Sequence, residues 1–361
     1  MSLANITIRP LEAGDDREFL SLFETVHGTR RPVEWFEWKY VTNPVIDHVP
    51  ILGAFDESTL IGVRPLFAIP LRDGEWRGLG LEQSDAMVHP AYRRQGIFSQ
   101  LVERTIERYK TADVGLFFSF PNQASWAAYR KLGWKRVGPV IEGFKLYRPG
   151  SIGATRGIVP EQLAQTADTI GQAVQQLSGI GYPEPAGIET DLVAGVPAER
   201  IASLAATQRP DTIHTDRTEA FLDWRFRNPD WHYSTVIAHQ HGTDQAAIIT
   251  GTGTNGAVGT ITRIIDIVPL IGHHNWERSI DVLLGTVIDT HSNSNVFVLP
   301  SDRIPQAIRR KHAFFSDHRK PLSMVAEPTD LVVRPVSTGL PEERVTKRSA
   351  WSPSFIEYDT S

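Results

Sequence analysis

Cysteine is absent from the 361 residues of this chain, and its absence removes several classes of chemistry. A chain without cysteine has no disulfides, no cysteine-ligated zinc or iron–sulfur centre, and no thiol nucleophile. If the protein transfers acyl groups, it must use another nucleophile or pass the group directly from donor to acceptor.

The chain also lacks long apolar runs and an excess of basic residues. No window of about 18 apolar residues occurs, which argues against a transmembrane helix. The first residues show no signal-peptide pattern, so we expect a cytoplasmic location. The 37 basic and 42 acidic residues leave a net charge of −5, which gives no electrostatic reason to expect nucleic acid or membrane as a partner.

The length suggests two domains, because domains contain roughly 150 residues, and an internal repeat supports that number. An aromatic-x-x-Trp-basic-aromatic pattern, followed shortly by Asn-Pro, occurs at 35–44 and again at 221–229. A hairpin signal comes later in each half, Asp-Gly at 73–74 and Asn-Gly at 255–256. Landmarks in the same order at nearly one offset indicate duplication of an αβ unit.

Composition predicts where the two units divide. Residues 149–158 contain the Gly, Ser and Pro that are typical of a linker. A helix with a narrow apolar seam is predicted over 160–177, and Gly and Pro interrupt the chain again at 179–186. We therefore predict a first domain over 1–148, a linker with a connector helix over 149–186, and a second domain over 187–361.

The most informative stretch is 89–134, in which a basic turn, a helix, a strand and a second helix follow an apolar strand that ends at Val88. Arg93, Arg94 and Gly96 come just before the first helix. Amides at a helix start are unpaired and carry partial positive charge, and a glycine there lets a ligand approach the backbone. The turn predicts a pyrophosphate cradle; the alternative is a basic surface turn before an ordinary helix.

Two motifs together resemble those of the GNAT superfamily of N-acetyltransferases. Residues 88–97, Val-x-Pro-x-Tyr-Arg-Arg-Gln-Gly-Ile, are similar to the coenzyme A loop of that family, Arg/Gln-x-x-Gly-x-Gly/Ala. Residues 122–134, Asn-x-x-Ser-x-x-x-Tyr-x-x-x-Gly-Trp, are similar to its second signature. The resemblance covers about residues 5–148. One departure is Phe98 at the last Gly/Ala position, which is expected to narrow the approach to the pyrophosphate.

The resemblance implies roles for the matched positions. Backbone around Met87 and Val88 would line the pantetheine arm and polarise the thioester carbonyl. Tyr129 would lie beside the sulfur and act as general acid for the departing thiolate; the alternative is an ordinary core aromatic residue. The residues that would hold the coenzyme are Arg93, Arg94, Gln95, Gly96, Ile97, Phe98 and Ser99 at the pyrophosphate, and Asn122 and Ser125 at the pantetheine or adenine.

Glu82 is our first candidate for the general base. A carboxylate on this strand is often the base in the family, sometimes acting through water. If the strand over Trp76–Val88 is regular, Glu82 shares its face with Ser84, and Asp85 faces the other way.

Other signals carry less weight. Gly-x-Gly-x-x-Gly at 251–256 matches a dinucleotide motif, but a strand rather than a helix follows it, which predicts a hairpin tip. His239, His241 and the pair at 273–274 have no third ligand at a recognisable spacing, so we expect no metal. The second half has no basic, glycine-containing turn at 269–276, where the repeat would place one.

We therefore expect an α/β protein of two tandem GNAT-like domains, each a mixed sheet flanked by helices. The first would bind acetyl-CoA and transfer acetyl directly to an amine of a small molecule or peptide. The degenerate second domain would help to build the acceptor site. Two alternatives stay open: an acyl or aminoacyl transferase with another donor, and a non-catalytic acetyl-CoA sensor. The sequence leaves the acceptor and the oligomeric state undetermined.

Overall fold

The computed structural model describes residues 6–110, 114–121, 126, 129–147, 187–256, 258–272, 275–318, 329–336 and 339–359. The linker and connector helix predicted within 149–186 lie outside these residues. The α-helices of the described residues are α1 (Asp16–His27), α2 (Val33–Phe36), α3 (Ile97–Arg108), α4 (Ala198–Thr207), α5 (Glu219–Arg225), α6 (Trp276–Thr290), α7 (Gln306–Lys311) and α8 (Glu342–Val345).

The strands, numbered in chain order, form two mixed sheets. The main path of the first sheet is, in spatial order, β1 (Ile6–Pro10), β2 (Ile51–Asp56), β3 (Thr59–Asp73), β4 (Trp76–Gln83), β6 (Val114–Ser119), β16 (Thr329–Pro335) and β7 (Lys135–Val140). Two short strands, β5 (Met87–Val88) and β10 (His214–Thr215), also pair with β3.

The second sheet has the same arrangement. Its order is β15 (Phe315–Ser316), β8 (Glu142–Leu146), β14 (Val296–Pro300), β13 (Gly259–Val268), β12 (Thr243–Asn255), β11 (His232–Gln240) and β9 (Glu189–Ala194). Each main path has one parallel pair, β4 with β6 and β13 with β14, and its other neighbours are antiparallel. The predicted fold class of two mixed sheets flanked by helices is confirmed.

The two sheets exchange one strand each. Strand β8 follows β7 after a single residue, yet it pairs with β14 in the second sheet. Strand β16, from the C-terminal half, lies between β6 and β7 in the first sheet. Neither sheet is therefore built from one half of the chain alone, and the predicted boundaries at 148 and 187 stay a prediction.

Each sheet has one face on a shared core and one face under its own helix. The shared core contains Phe67 and Phe118 from the first sheet and Ile237 and Ile265 from the second. Helix α3 covers the outer face of the first sheet, and α6 covers the outer face of the second. The inward face of each sheet is apolar and must be buried against another element. The two sheets pack together because each covers the apolar face of the other.

A pair of tryptophans relates the two halves of the shared core. The indole N–H of Trp38 donates to the carbonyl of Trp224 (2.9 Å), and that of Trp224 donates to the carbonyl of Trp38 (2.8 Å). Their ring centres lie 5.7 Å apart and nearly parallel. Both tryptophans belong to the repeated aromatic-basic pattern. The two copies of this pattern therefore contact each other through the same residue in each copy.

The two predicted hairpin turns are confirmed, but the long strand predicted after the first of them is not continuous. The predicted turns at 73–74 and 255–256 join β3 to β4 and β12 to β13. The long strand predicted from Trp76 to Val88 is interrupted at 84–86, where Asp85 has φ +40°. That backbone conformation does not fit a regular strand, so alternation is lost there.

Candidate active site

The parallel strands β4 and β6 separate close to the interruption. They are paired as far as Glu82, opposite Phe118. After 84–86 the chain continues as β5, which pairs with β3 and with no other strand of the described residues. The backbone edge of Met87 and Val88 that faces away from β3 therefore has no strand partner among the described residues, and we call the interval between this edge and the end of β6 the opening.

The turn between β5 and α3 has an open, positively charged surface. Arg94 (φ +62°) and Gly96 (φ +80°) both adopt the left-handed conformation, and Gly96 is the N-cap of α3. Apart from Gly96 and its two chain neighbours, no atom of the described residues lies within 4 Å of the place that a Cβ on Gly96 would take. The N–H of Gln100 makes the first helical bond, to Gly96, so the amides of 97–99 have no acceptor within the helix. With the exposed side chains of Arg93 and Arg94, this helix start suits an anion.

The other loop residues have distinct environments. The Arg93 Nε donates to the carbonyl of Val88 (3.1 Å), which ties that side chain to the edge of the opening. The Gln95 amide donates to a carbonyl of the preceding turn. Ser99 is exposed. The side chain of Ile97 lies on the buried face of α3, so this residue could offer a ligand only its backbone.

Tyr129 lies on the face of the first sheet that α3 covers. Its ring packs edge-on against Trp134, with centres 4.9 Å apart. Its hydroxyl accepts a long hydrogen bond (3.4 Å) from Nη1 of Arg64. Arg64 is fully buried, and its guanidinium also lies 5.3 Å from the centre of the Phe98 ring. The ring of Phe98 thus packs over Arg64.

Glu82 lies on the opposite face of the same sheet. Strand residues alternate, and Leu81 packs in the cluster that contains Tyr129, so Glu82 faces the shared core. One carboxyl oxygen of Glu82 is buried without a hydrogen-bond partner. Burial raises the pKa of Glu82 well above its usual range, and the nearby carboxyl of Asp359 raises it further, while Lys39 opposes the shift.

Lys39 joins two further carboxylates beside Glu82. Its Nζ donates to Asp85 (2.6 Å) and to Asp359 (2.9 Å), and the hydroxyl of Tyr40 donates to Asp85 (2.7 Å). Burial lowers the pKa of Lys39, but Asp359 and Asp85 outweigh burial and raise it, so the ammonium stays charged. The expectation that Asp85 faces away from Glu82 is wrong, because the interruption at 84–86 turns it toward Lys39.

The geometry thus provides an anion-binding helix start, an opening between two parallel strands, and polar groups on both faces of the sheet beside it. A phenol lies on the face covered by α3, and a carboxyl of raised pKa lies on the other face. Groups placed in this way could hold a phosphate-bearing donor and move protons on either side of the opening.

Comparisons with known proteins agree with this geometry. Residues 7–137 match the family described as an acetyltransferase (GNAT) domain. This part of the chain is a GNAT domain. A comparison with curated protein sequences gives no significant match.

Solved structures with the same fold align with both halves of the chain. A probable N-acyltransferase of Enterococcus faecalis V583 has a TM-score of 0.60 at 13% identity, and the alignment covers 92% of this chain and 73% of that one. A GCN5-related N-acetyltransferase of Anabaena variabilis ATCC 29413 has 0.58 at 12%, with the same coverage. Eis1 of Mycobacterium abscessus has 0.52 at 15%, covering 95% and 76%. At these identities the likeness is one of fold.

The second half differs from the GNAT domain at the position of the coenzyme loop. In the first half, the space around Gly96 is open. In the second, the side chain of Trp276 takes the place where a Cβ on Gly272 would lie. The indole N–H of Trp276 donates to the carbonyl of Pro269 (3.0 Å) and closes the turn across this glycine.

Two predicted contacts of the GNAT domain, Asn122 and Ser125, lie outside the described residues. Sequence reasoning did not assign Lys39, Asp85 or Arg64 to the site. Lys39 does stand in the repeated pattern, which was the available signal. No helix of the described residues is long and apolar enough to cross a membrane. The part of the chain that the structure describes holds no group of three His, Asp or Glu side chains placed as metal ligands.

Proposed function

We propose that the protein is an acetyl-CoA-dependent N-acetyltransferase that moves acetyl directly from the thioester to an amine of a small molecule or peptide. The observation that carries the proposal is the open helix start at Gly96 beside the separated strands of a GNAT domain. The absence of cysteine supports direct transfer, because the usual acyl-accepting nucleophile of thioester chemistry is missing.

The residues of the loop fit a pyrophosphate. Arg93 and Arg94 would place two cations beside it, and the amides of 97–99 would donate to its oxygens. Backbone groups of Met87 and Val88 would run along the pantetheine arm, where β5 has a free edge. Contacts of Asn122 and Ser125 with the coenzyme stay predictions.

Tyr129 would act as the general acid and Glu82 as the general base. The amine would lose its proton to Glu82, directly or through water, and Tyr129 would give its proton to the sulfur. Their placement on opposite faces of the sheet supports this division, since the acceptor and the leaving group then occupy different sides of the opening. A carboxyl of raised pKa suits a base that works near neutral pH.

The test is release of free thiol from acetyl-CoA across a panel of amino sugars, peptide N-termini, polyamines and amine antibiotics. Turnover with at least one amine is expected. Binding without turnover on any amine would favour a sensor. Turnover only with a longer acyl-CoA or with an aminoacyl donor would indicate a transferase that uses a donor other than acetyl-CoA.

Arg94→Glu tests the donor site. A negative charge beside the pyrophosphate replaces a charge-assisted bond worth about 1.5–3 kcal/mol, so acetyl-CoA affinity should fall by at least tenfold in calorimetry. Arg104→Glu, an equally exposed arginine farther along α3, is the matched control and should bind normally. Equal affinity of both variants would exclude the loop as the coenzyme site.

A further inference from the structure

Arg64 is a buried cation without a counter-ion. Its side chain is 0% exposed, and its Nε and Nη2 have no hydrogen-bond partner. Within the described residues, its one hydrogen bond is the long bond from Nη1 to the hydroxyl of Tyr129. None of the ion pairs of the described residues includes Arg64. The proposed function does not use this residue.

Arg64 lies at the donor side of the opening. It is on β3, directly across from the interruption at 84–86, between the segments of β3 that pair with β4 and with β5. Gly62, two residues earlier on the same strand, faces Ile97 and Leu101 of α3. Alternation therefore places Arg64 on the α3 face, where its guanidinium lies between the rings of Phe98 and Tyr129, 5.3 and 5.6 Å from their centres.

A site of this kind is costly unless an anion completes it. Burying an ionised group without a partner is costly, and contacts with two aromatic rings offset only part of that cost. A permanent carboxylate partner would remove the cost, but no described residue supplies one. The arrangement instead suits a negative charge that forms for only part of a reaction cycle.

We propose that Arg64 stabilises the coenzyme A thiolate as it leaves. This inference rests on the proposed function, because the sulfur is expected beside Tyr129. The amine nitrogen forms the new C–N bond, and the C–S bond breaks with its electron pair left on sulfur. The guanidinium holds that charge until the hydroxyl proton of Tyr129 reaches the sulfur. Glu82 then releases the proton of the amine to solvent, and solvent returns one proton to the phenolate of Tyr129.

Arg64→Met separates this role from a structural one. Methionine keeps a flexible apolar stem but removes the charge, so the midpoint of urea unfolding should stay the same or rise. Turnover should nevertheless fall by about 10²-fold or more. A structural arginine would give the reverse, lower stability with normal turnover in the folded fraction. Arg64→Lys, which keeps a charge, should lose less turnover than Arg64→Met.

Arg72→Met is the matched control on the same strand. Arg72 is also buried, but its Nε donates to the carbonyl of Gly74 (2.9 Å), and Asp216 lies near its guanidinium. Removing this partnered cation should lower stability and leave turnover per folded molecule unchanged.

A binding measurement gives a readout that does not depend on turnover. Ultraviolet absorbance follows ionisation of the thiol of bound coenzyme A, whose free thiol ionises near pH 8.5 by analogy with cysteine. On the wild-type protein ionisation should occur at lower pH than in solution, and on Arg64→Met it should not. Desulfo-coenzyme A should bind both proteins equally. Normal thiolate formation and turnover in Arg64→Met would overturn the proposal, whereas a wild type that binds coenzyme A but acetylates no amine would overturn the proposed function.

Discussion

At the scale of residues, the site depends on which face of one sheet each polar group occupies. Tyr129 and Arg64 lie under α3, and Glu82 lies with Lys39 on the side of the shared core. Arg64 on β3 and Glu82 on β4 belong to neighbouring strands, yet the alternation of strand residues places them on opposite faces. A proton donor and a proton acceptor can then coexist without neutralising each other.

Tyr129→Phe should lower turnover by about 10²-fold while acetyl-CoA affinity changes little, because only the acidic hydroxyl is lost. Tyr109→Phe is the matched control. Tyr109 is buried in the same cluster, but its hydroxyl bonds His48 instead (2.8 Å). The rate of thiol release measures turnover, and calorimetry measures acetyl-CoA affinity. A loss of affinity with normal turnover would make Tyr129 a binding residue.

Glu82 determines the expected pH dependence. A base must be ionised, and burial holds the pKa of Glu82 well above the usual range of a glutamate. Wild-type turnover should therefore rise with pH above that range, as Glu82 loses its proton. Glu82→Gln should show a low rate without this rise, about 10²-fold below the wild-type plateau. The exposed Glu103→Gln is the control, and an unchanged pH profile in Glu82→Gln would assign the base elsewhere.

At the scale of elements, the exchange of β8 and β16 makes each sheet depend on the other half of the chain. Without β16, the first sheet loses the strand between β6 and β7, and both are left with unpaired edges. A half of the chain cannot then restore its own hydrogen bonding.

A shortened chain ending at Tyr147 should therefore fail to unfold cooperatively, and it should bind acetyl-CoA weakly. Circular dichroism during urea unfolding and calorimetry measure this. Adding residues 187–361 as a separate chain should restore both properties, because it supplies β16 and accepts β8. Cooperative unfolding of the short chain alone, with full coenzyme affinity, would show that the exchanged strand is dispensable.

At the scale of the whole molecule, two sheets of the same order carry unequal loops. The first half has an open glycine at the start of α3, and the second has Trp276 across Gly272. Of these two turns, the one before α3 has the open helix start that suits an anion, and we expect the second half to serve the acceptor instead.

We expect one acetyl-CoA per chain and a ternary complex during transfer. Calorimetric titration should end at a ratio of one, and initial-rate lines should intersect as both substrates are varied. Removing the indole with Trp276→Ala should not create a second site, because the second turn lacks the Arg-Arg pair. Two coenzymes per chain, or parallel rate lines with an acetylated protein, would contradict this reading.

Features that depend on neighbours along the chain could be predicted from the amino-acid sequence. Backbone preferences account for the left-handed conformation of Gly96 and for the turns at 73–74 and 255–256. The spacing of apolar residues identifies the buried face of α3. The repeated pattern was visible because its landmarks recur in the same order in both halves of the sequence. Local chemistry predicted the anion-binding helix start, whereas the two mixed sheets were implied by the resemblance of two motifs to the GNAT superfamily.

The tertiary structure alone decided which distant groups meet. The bond from Lys39 to Asp359 spans 320 residues, the exchange of β8 and β16 crosses the predicted boundary, and the interruption at 84–86 reverses the side on which Asp85 lies. No local preference encodes such pairings, because they depend on which sheet edges close on each other and what the shared core must cover. Arg64 could not be singled out for the same reason: an arginine in a strand is ordinary until its burial and its missing partner are seen.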